Sequence, residues 1–155
     1  MSLSKERNYL LYLLAKQDYS RKQLSDKLCK RANISEYEIL ELLSIFEKNK
    51  WLSDARFAET FVYSEVNKLR GKKRILNTGV YQKGLSTAMV EKYLDLLDMD
   101  WYELCGKCLQ KKYKNRSILK DDVKLKNKAT NYLIYNGFSY DEINQAIYNT
   151  NPNTN

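Results

Sequence analysis

The fold can be predicted from the stretch Trp51-Leu52-Ser53-Asp54-Ala55-Arg56-Phe57-Ala58-Glu59-Thr60-Phe61-Val62, because its pattern recurs along the whole chain. Ser53 is placed to cap a helix, since its hydroxyl can accept from a first-turn amide that has no partner inside the helix. Leu52 before the cap and Phe57 after it stand at the positions of a hydrophobic staple. The stretch predicts a helix over 53–69, whose apolar face would contain Phe57, Phe61, Val62, Val66 and Leu69.

The same order of apolar residue, cap and apolar residue opens other predicted helices at Tyr19-Ser20, Ile34-Ser35, Leu85-Ser86 and Phe138-Ser139. After Ser20, Ser35 and Ser139, a Gln or Glu three residues on completes a capping box. The unit recurs 51 residues later, from Ile34 to Leu85, and again 53 residues later, from Leu85 to Phe138. Such spacing is typical of a solenoid, in which each unit buries its apolar face partly against its neighbours.

The predicted fold is therefore all-α, with three tandem three-helix modules that form an elongated, curved, solenoid-like array. Composition agrees, because the 155 residues include 5 glycines and a single proline, Pro152, near the C-terminal end. The predicted domains are module 1 over 1–50, module 2 over 51–98 and module 3 over 99–149. A disordered Asn/Thr tail is predicted over 150–155.

Two segments fit the repeat less well. Gly71 permits a tight break after the 53–69 helix, and the next helix is predicted from Lys72 to about Gln82. Gly79 inside that helix costs about 1 kcal/mol relative to Ala, so this is the least secure helix. The segment from Lys114 to about Lys120 is predicted to be a loop.

The charge narrows the choice of partner. A formal net charge of +8 favours a polyanionic partner or an acidic protein surface, the alternative being a solvated basic surface without any partner. The absence of histidine removes the commonest general base and the commonest metal ligand. Three cysteines, with no signal peptide and no long apolar run, predict a reduced, cytoplasmic chain without a transmembrane segment.

Two candidate sites for chemistry have simpler explanations. Cys105-Gly106-Lys107-Cys108 has the spacing of a redox or zinc motif, but only Cys29 remains to complete it, and in a helix Cys108 joins the core. Four carboxylates around one helix start suggest a magnesium site, but they also complement the positive end of the helix dipole: Asp95, Asp98, Asp100 and Glu103. The prediction is a protein that is not an enzyme and has no cofactor.

The basic residues cluster at corresponding junctions of modules two and three. The first cluster surrounds Gly71 and consists of Lys68, Arg70, Lys72, Lys73 and Arg74. The second surrounds the 113–120 loop and consists of Lys111, Lys112, Lys114 and Arg116, with Lys124, Lys126 and Lys128 following. A third group lines the second helix: Arg21, Lys22, Lys27, Lys30 and Arg31. Phosphate backbone is the natural partner for such a pattern. For Tyr113, a position at the edge of the core is favoured over a role as a platform on which bases stack.

Short motifs in a fixed order add a family resemblance. They are Asp18-Tyr19-Ser20-Arg21 with Leu24 and Leu28, Leu52-Ser53-Asp54-Ala55-Arg56-Phe57-Ala58, Arg70-Gly71, Arg74-Ile75, Gly84-Leu85, Asp100-Trp101, Lys112-Tyr113 and Asn136-Gly137-Phe138-Ser139. In this order, from about Tyr9 to Ile147, the chain resembles the RecX family, the regulatory proteins of the RecA recombinase. Gly71-Lys72 departs from the family's usual Gly-Pro, so the turn is less rigid. The interval from Ile75 to Leu85 is one residue longer than usual, which leaves the phase of the helix between them open.

The resemblance implies a non-enzymatic modulator with a role in DNA repair, homologous recombination and the SOS response. Such proteins consist of tandem three-helix modules, lodge in the groove of the RecA–DNA filament and usually inhibit RecA's ATPase, strand-exchange and coprotease activities. The implied partners are the RecA nucleoprotein filament and single- or double-stranded DNA, bound by a monomer. The predicted contact residues are Arg21, Lys22, Arg70, Lys72, Lys73, Arg74, Lys111, Lys112, Lys114 and Arg116. The alternative is a general nucleic-acid-binding helical protein without a RecA role.

Overall fold

The computed structural model describes residues 3–31 and 33–148, and this part of the chain forms nine α-helices and no strand. The helices follow one another in three groups of three, here called modules one, two and three. Module one contains α1 (Ser4–Lys16), α2 (Arg21–Cys29) and α3 (Glu36–Lys48). Module two contains α4 (Asp54–Asn67), α5 (Lys72–Asn77) and α6 (Thr87–Leu97). Module three contains α7 (Trp101–Lys112), α8 (Val123–Tyr135) and α9 (Tyr140–Tyr148). The predicted all-α fold of tandem three-helix modules is confirmed, while the predicted tail over 150–155 lies outside the described residues.

The serine caps begin the helices as predicted. Ser53 Oγ accepts from the backbone N–H of Arg56 at 3.1 Å, and Ser86 Oγ accepts from that of Met89 at 3.1 Å. Reciprocal capping boxes are present at Ser20, Ser35 and Ser139. Each cap satisfies an amide that has no partner inside its helix, so the helix starts are determined by local sequence.

The side chains form two separate cores. Module one has its own core, made of Leu10, Leu24, Leu28, Ile39, Leu42, Leu43, Phe46 and Leu52. A larger core runs through modules two and three together, from Ala58 to Ile147. The stretch Trp51–Val62 passes between the two, because Leu52 packs in the first core while Phe61 and Val62 pack in the second. Trp51 contacts Phe46 edge to face, with ring centroids 5.2 Å apart.

Two contacts between successive modules have the same form, and we call each of them a joint. A residue with positive φ precedes the third helix of each module: Asn33 (φ 74°), Gly84 (φ 73°) and Gly137 (φ 99°). At the first joint, Ser20 Oγ at the start of α2 donates to the carbonyl of Lys83, beside Gly84, at 2.6 Å. At the second, the N–H of Gly71 at the start of α5 donates to the carbonyl of Asn136, beside Gly137, at 2.7 Å. The start of the second helix in one module therefore meets the turn before the third helix of the next.

The helix predicted from Lys72 to Gln82 is present, but its second half is π-helical and not α-helical. After α5 the chain forms a π turn over Thr78–Gln82, in which the N–H of Lys83 donates to the carbonyl of Thr78 at 3.1 Å. A π turn accommodates one extra residue in a helix, as expected if the interval between Ile75 and Leu85 is one residue longer than is usual in the family. Gly79 lies in this turn, and a Cβ added there would be 3.0 Å from Val90 and 3.2 Å from Phe61.

Three further predictions need correction. Helix α4 ends at Asn67, and Leu69 has a φ of 62°, so Leu69 is not part of the helical face predicted for it. Gly71 has an ordinary φ of −79°, and glycine fits there because an added Cβ would lie 2.4 Å from the carbonyl oxygen of Gly137. The predicted loop over 114–120 contains a 3₁₀ turn over Arg116–Lys120, which forms because Leu119 is fully buried in the larger core.

Candidate nucleic-acid interface

An open groove of about 950 Å³ lies between α5 of module two and the α8–α9 turn of module three. Six basic residues line it, and we call it the basic groove: Lys68, Arg70, Lys72, Lys73, Arg74 and Lys83. Two tyrosines, Tyr135 and Tyr140, and two acids, Glu65 and Glu142, also line it. The first predicted basic cluster is therefore brought together in one concave surface.

Backbone contacts of the second joint hold the groove in place. The N–H of Gly71 donates to Asn136 O at 2.7 Å, and the N–H of Lys73 donates to Gly137 O at 3.3 Å. A Cβ on Gly137 would lie 2.4 Å from the Cβ of Arg74, so neither glycine of the joint can carry a side chain without a shift. Lys72 and Lys73 are exposed and follow this joint directly. Their backbone is therefore positioned by module three as well as by module two.

Arg70 and Arg74 contact residues of the second joint. Arg70 Nη1 donates to Asn136 Oδ1 at 2.6 Å, and Arg74 Nη1 lies 3.5 Å from the same oxygen. Asn136 is only 3% exposed, and its Nδ2 donates to the Tyr132 carbonyl at 2.8 Å. The Arg74 guanidinium also lies over the Tyr135 ring, 4.7 Å from its centroid. These two arginines position the groove, whereas Lys68, Lys72 and Lys73 are the exposed cations at its mouth.

The second predicted cluster lies on module three. Lys111, Lys112 and Lys114 are exposed, and Lys112 Nζ lies over the Tyr132 ring, 4.1 Å from its centroid. The side chain of Arg116 lies outside the described part of the structure. Tyr113 packs against the larger core and meets Tyr132 edge to face, with centroids 6.4 Å apart. This contact agrees with the prediction that Tyr113 is a residue at the edge of the core.

Arg21 and Lys22 lie at the first joint, where both carry ion pairs. Arg21 Nε is 2.7 Å from Glu47 Oε1, and Lys22 Nζ is 2.8 Å from Asp26 Oδ2. The Arg21 N–H donates to Asp54 Oδ1 at 2.7 Å, yet burial raises the pKa of that carboxyl above its usual value. The structure does not bring Arg21 and Lys22 into the basic groove.

Cys108 of the CxxC motif lies in the core, as predicted, and Cys105 is buried there as well. Burial, with smaller contributions from Cys108 and Glu142, raises the pKa of the Cys105 thiol to about 12. Burial also raises the pKa of Cys108. Such thiols stay protonated at neutral pH and are poor nucleophiles and poor metal ligands. Among the described residues, no group of three or more His, Cys, Asp or Glu side chains is arranged to hold a metal ion.

Sequence reasoning missed three residues that line the groove, Lys83, Tyr135 and Tyr140, and also the role of Asn136 as the partner of Arg70. The repeat offered a signal for two of them, because Lys83-Gly84 and Asn136-Gly137 occupy the same place in consecutive modules. The exposure of the two tyrosines depends on how the α8–α9 turn sits against α5, which no local pattern encodes.

Comparisons with known proteins agree with this architecture. The family model described as "RecX, third three-helix domain" matches residues 98–147. Regulatory protein RecX of Haemophilus influenzae (strain PittEE) is 35% identical over 140 residues, covering 90% of this chain and 91% of that protein. Regulatory protein RecX of Acinetobacter baylyi is 32% identical over 148 residues, covering 96% and 89%. These relatives are named as regulatory proteins and not as enzymes.

Solved structures show the same fold. The crystal structure of RecX from Lactobacillus salivarius superposes with a TM-score of 0.76 at 28% identity and covers 94% of both chains. A second crystal structure of regulatory protein RecX, at 19% identity, has the same TM-score, covers 92% of this chain and 71% of that one, and supports the fold alone. Within the described residues, no helix is both long and apolar enough to cross a bilayer. The repeat, the joints and the identity over nine-tenths of the sequence show that the chain belongs to the RecX family of regulatory proteins.

Proposed function

We propose that this protein binds the RecA–DNA filament and lowers RecA's ATPase, strand-exchange and coprotease activities. Membership of a family named for regulation supports the regulatory role. The observation that carries the proposal is the basic groove, in which exposed lysines stand on a turn that the next module holds in place. A fixed array of cations suits a polyanionic filament better than mobile surface lysines do.

The contact residues divide by environment. Lys68, Lys72 and Lys73 contact DNA phosphates, while Arg70 and Arg74 keep the groove in shape. Lys111, Lys112 and Lys114 extend the positive surface along module three, and Arg116 is proposed as a contact from its place in the sequence. Arg21 and Lys22 contribute less, because Glu47 and Asp26 already pair with them. Contacts distributed over three modules add as avidity, so each can be weak on its own.

The test is RecA's DNA-dependent ATP hydrolysis in the presence of the wild-type protein and of Lys72→Glu/Lys73→Glu. The matched control is Lys5→Glu/Lys48→Glu, which changes the net charge equally at exposed sites on module one. We expect wild type and control to slow hydrolysis alike and the groove variant to slow it several-fold less. No inhibition by wild type at moderate salt would contradict the function, and equal inhibition by all three would show that the groove is the wrong surface.

A general nucleic-acid-binding role without RecA is the second candidate, because the groove's chemistry alone requires only phosphate. It predicts DNA binding that weakens steeply with salt and no effect on RecA hydrolysis at the same protein concentration.

We further propose that the protein is a non-enzymatic monomer that acts in the cytoplasm without a cofactor. The joints support the monomer. In a head-to-tail assembly, the second helix of another copy's third module would meet the turn before α3, and this turn carries Asn33 in place of glycine. An added Cβ at the equivalent Gly84 would lie 2.4 Å from the Lys22 side chain, so head-to-tail association meets a clash. We propose module boundaries at 1–50, 51–98 and 99–149, with Leu52 in the first core favouring a first boundary nearer Ser53.

A further inference from the structure

We propose that the basic groove binds single-stranded nucleic acid, with unpaired bases stacked on Tyr135 and Tyr140 while the lysines hold the phosphates. This inference rests on the proposed function, since it specifies which form of DNA that same groove takes. Tyr135 is 70% exposed and Tyr140 is 69% exposed, and both line the groove together with the lysines. Aromatic side chains beside a positively charged track are the arrangement that binds single strands without sequence preference.

The ring of Tyr135 is already held in position for a base to stack on it. The Arg74 guanidinium lies over its ring at 4.7 Å and is also within 3.5 Å of the Tyr135 carbonyl oxygen, which restricts the ring while most of the side chain stays exposed. A ring already held in place loses little conformational entropy when a base stacks on it. The guanidinium adds positive charge behind the ring, which strengthens stacking near a phosphate chain.

The two tyrosines have fixed positions relative to the lysines. They flank the turn 136–139, whose Asn136 and Gly137 carbonyls accept from the backbone of Gly71 and Lys73. Base platforms and phosphate contacts are therefore on opposite walls of one groove, joined by backbone hydrogen bonds. A duplex keeps its bases paired inside the helix, so only an unpaired strand can use both walls at once.

The two acids in the groove lower its positive charge without cancelling it. Glu142 Oε1 accepts from the Ser139 N–H at 2.8 Å in the α9 capping box. Glu65 lies 3.9 Å from Lys68 Nζ. Six basic residues against these two acids leave the groove with a net positive formal charge.

The test measures binding of three fluorescent probes by anisotropy: an oligothymidylate of about 20 nucleotides, an abasic strand of equal length, and the duplex. The abasic strand keeps every phosphate and lacks the bases. We expect wild type to prefer oligothymidylate over both other probes. Tyr135→Ala should weaken oligothymidylate binding about tenfold and leave abasic binding unchanged, which also shows that the variant is folded.

Two further variants separate stacking from packing. Tyr135→Phe should retain binding, whereas Tyr135→Leu, which still covers Arg74 with an apolar side chain, should lose it. Tyr37→Ala removes a tyrosine that is 73% exposed on module one and should change nothing. A wild-type protein that binds thymidylate and abasic strands equally, or not at all, would overturn the proposal, as would equal losses on both strands for Tyr135→Ala. Tighter binding of poly-glutamate than of oligothymidylate would also overturn it, by showing that the groove takes an acidic protein segment.

The result is independent of the RecA assay. Stacking on Tyr135 with no slowing of RecA hydrolysis would contradict the proposed function and leave this inference standing. If the wild type and Tyr135→Phe both slow RecA hydrolysis but bind oligothymidylate and the abasic strand equally well, the proposed function stands and the stacking inference is contradicted.

Discussion

Ser20 makes two hydrogen bonds that belong to different modules, and it is fully buried. Its Oγ accepts from the Gln23 N–H at 3.2 Å within α2 and donates to the Lys83 carbonyl at 2.6 Å in module two. Ser35 forms the same capping box at an exposed site. We expect Ser20→Ala to lower the free energy of unfolding by about 2–3 kcal/mol and Ser35→Ala by about 1 kcal/mol. Urea denaturation measures both, and equal losses would show that the bond to Lys83 adds nothing.

The Cys105 thiol makes the free energy of unfolding depend on pH in the alkaline range. Its folded-state pKa is raised to about 12, mainly by burial, from an ordinary value of 9.0. Between these values the folded state binds more protons than the unfolded state, so the free energy of unfolding falls as pH rises above about 9. Below that pH the thiol is protonated in both states and contributes no slope.

Cys105→Ala should therefore flatten the fall in stability between about pH 9 and pH 11, whatever its effect at pH 7. Denaturation series at several pH values give the slopes. A Cys105→Ala slope as steep as that of the wild type would assign the effect to other groups whose pKa burial raises, such as Cys108 and the partly buried Tyr132.

At the scale of an element, the π turn over Thr78–Gln82 holds one residue more than an α-helix needs. Deleting Thr78 should convert the turn to α-helix and keep Ile75 and Leu85 in the core, with a loss below about 1 kcal/mol. Deleting Lys92 from the middle of α6 should unfold the protein, because it rotates Leu94 by about 100° away from the core. Circular dichroism with thermal melting compares the two. Equal damage would mean that the extra residue is required by packing around Gly79.

What the sequence could predict at this scale depended on the range of the interactions. Caps at Ser35, Ser53 and Ser86 join residues three apart, so local patterns found them. The π turn and the burial of Leu119 depend on contacts with distant helices, and both were missed. Gly71 was recognised as a break, but the carbonyl of Gly137 that requires it lies in the next module. Of the basic groove, only the basic residues around Gly71 were predicted. Tyr135 and Tyr140 line it because module three packs against α5, which no local pattern shows.

At the scale of the whole molecule, the repeated joint explains how short motifs spread over the chain act together. Ser20 with Lys83, and Gly71 with Asn136, are the same contact made between successive modules. Ion pairs reinforce the first joint, where Arg56 Nε lies 3.4 Å from Asp18 Oδ1. Several of the motifs that carry the family resemblance therefore lie at these joints, which also position the surface proposed to bind a partner.

Two cores of unequal size predict a hierarchy of stability. Module one relies on eight buried apolar residues among those described, whereas modules two and three share nineteen. Since local opening free energies follow the buried contacts of each cooperative unit, module one should open first. Native-state hydrogen exchange should show lower protection for amides of α2 and α3 than for those of α7 and α9.

Matched core truncations test whether the cores are separate units. Phe46→Ala should cost about 3–5 kcal/mol and lower protection in module one alone, because Phe46 packs only in the first core. Leu133→Ala should cost about 2–5 kcal/mol and lower protection in both module two and module three, because they share the second core. A uniform loss of protection along the chain in both variants would show that the polar first joint couples all three modules into one cooperative unit. Retained protection in module two after Leu133→Ala would show that the larger core is itself divided at Gly71 and Gly137.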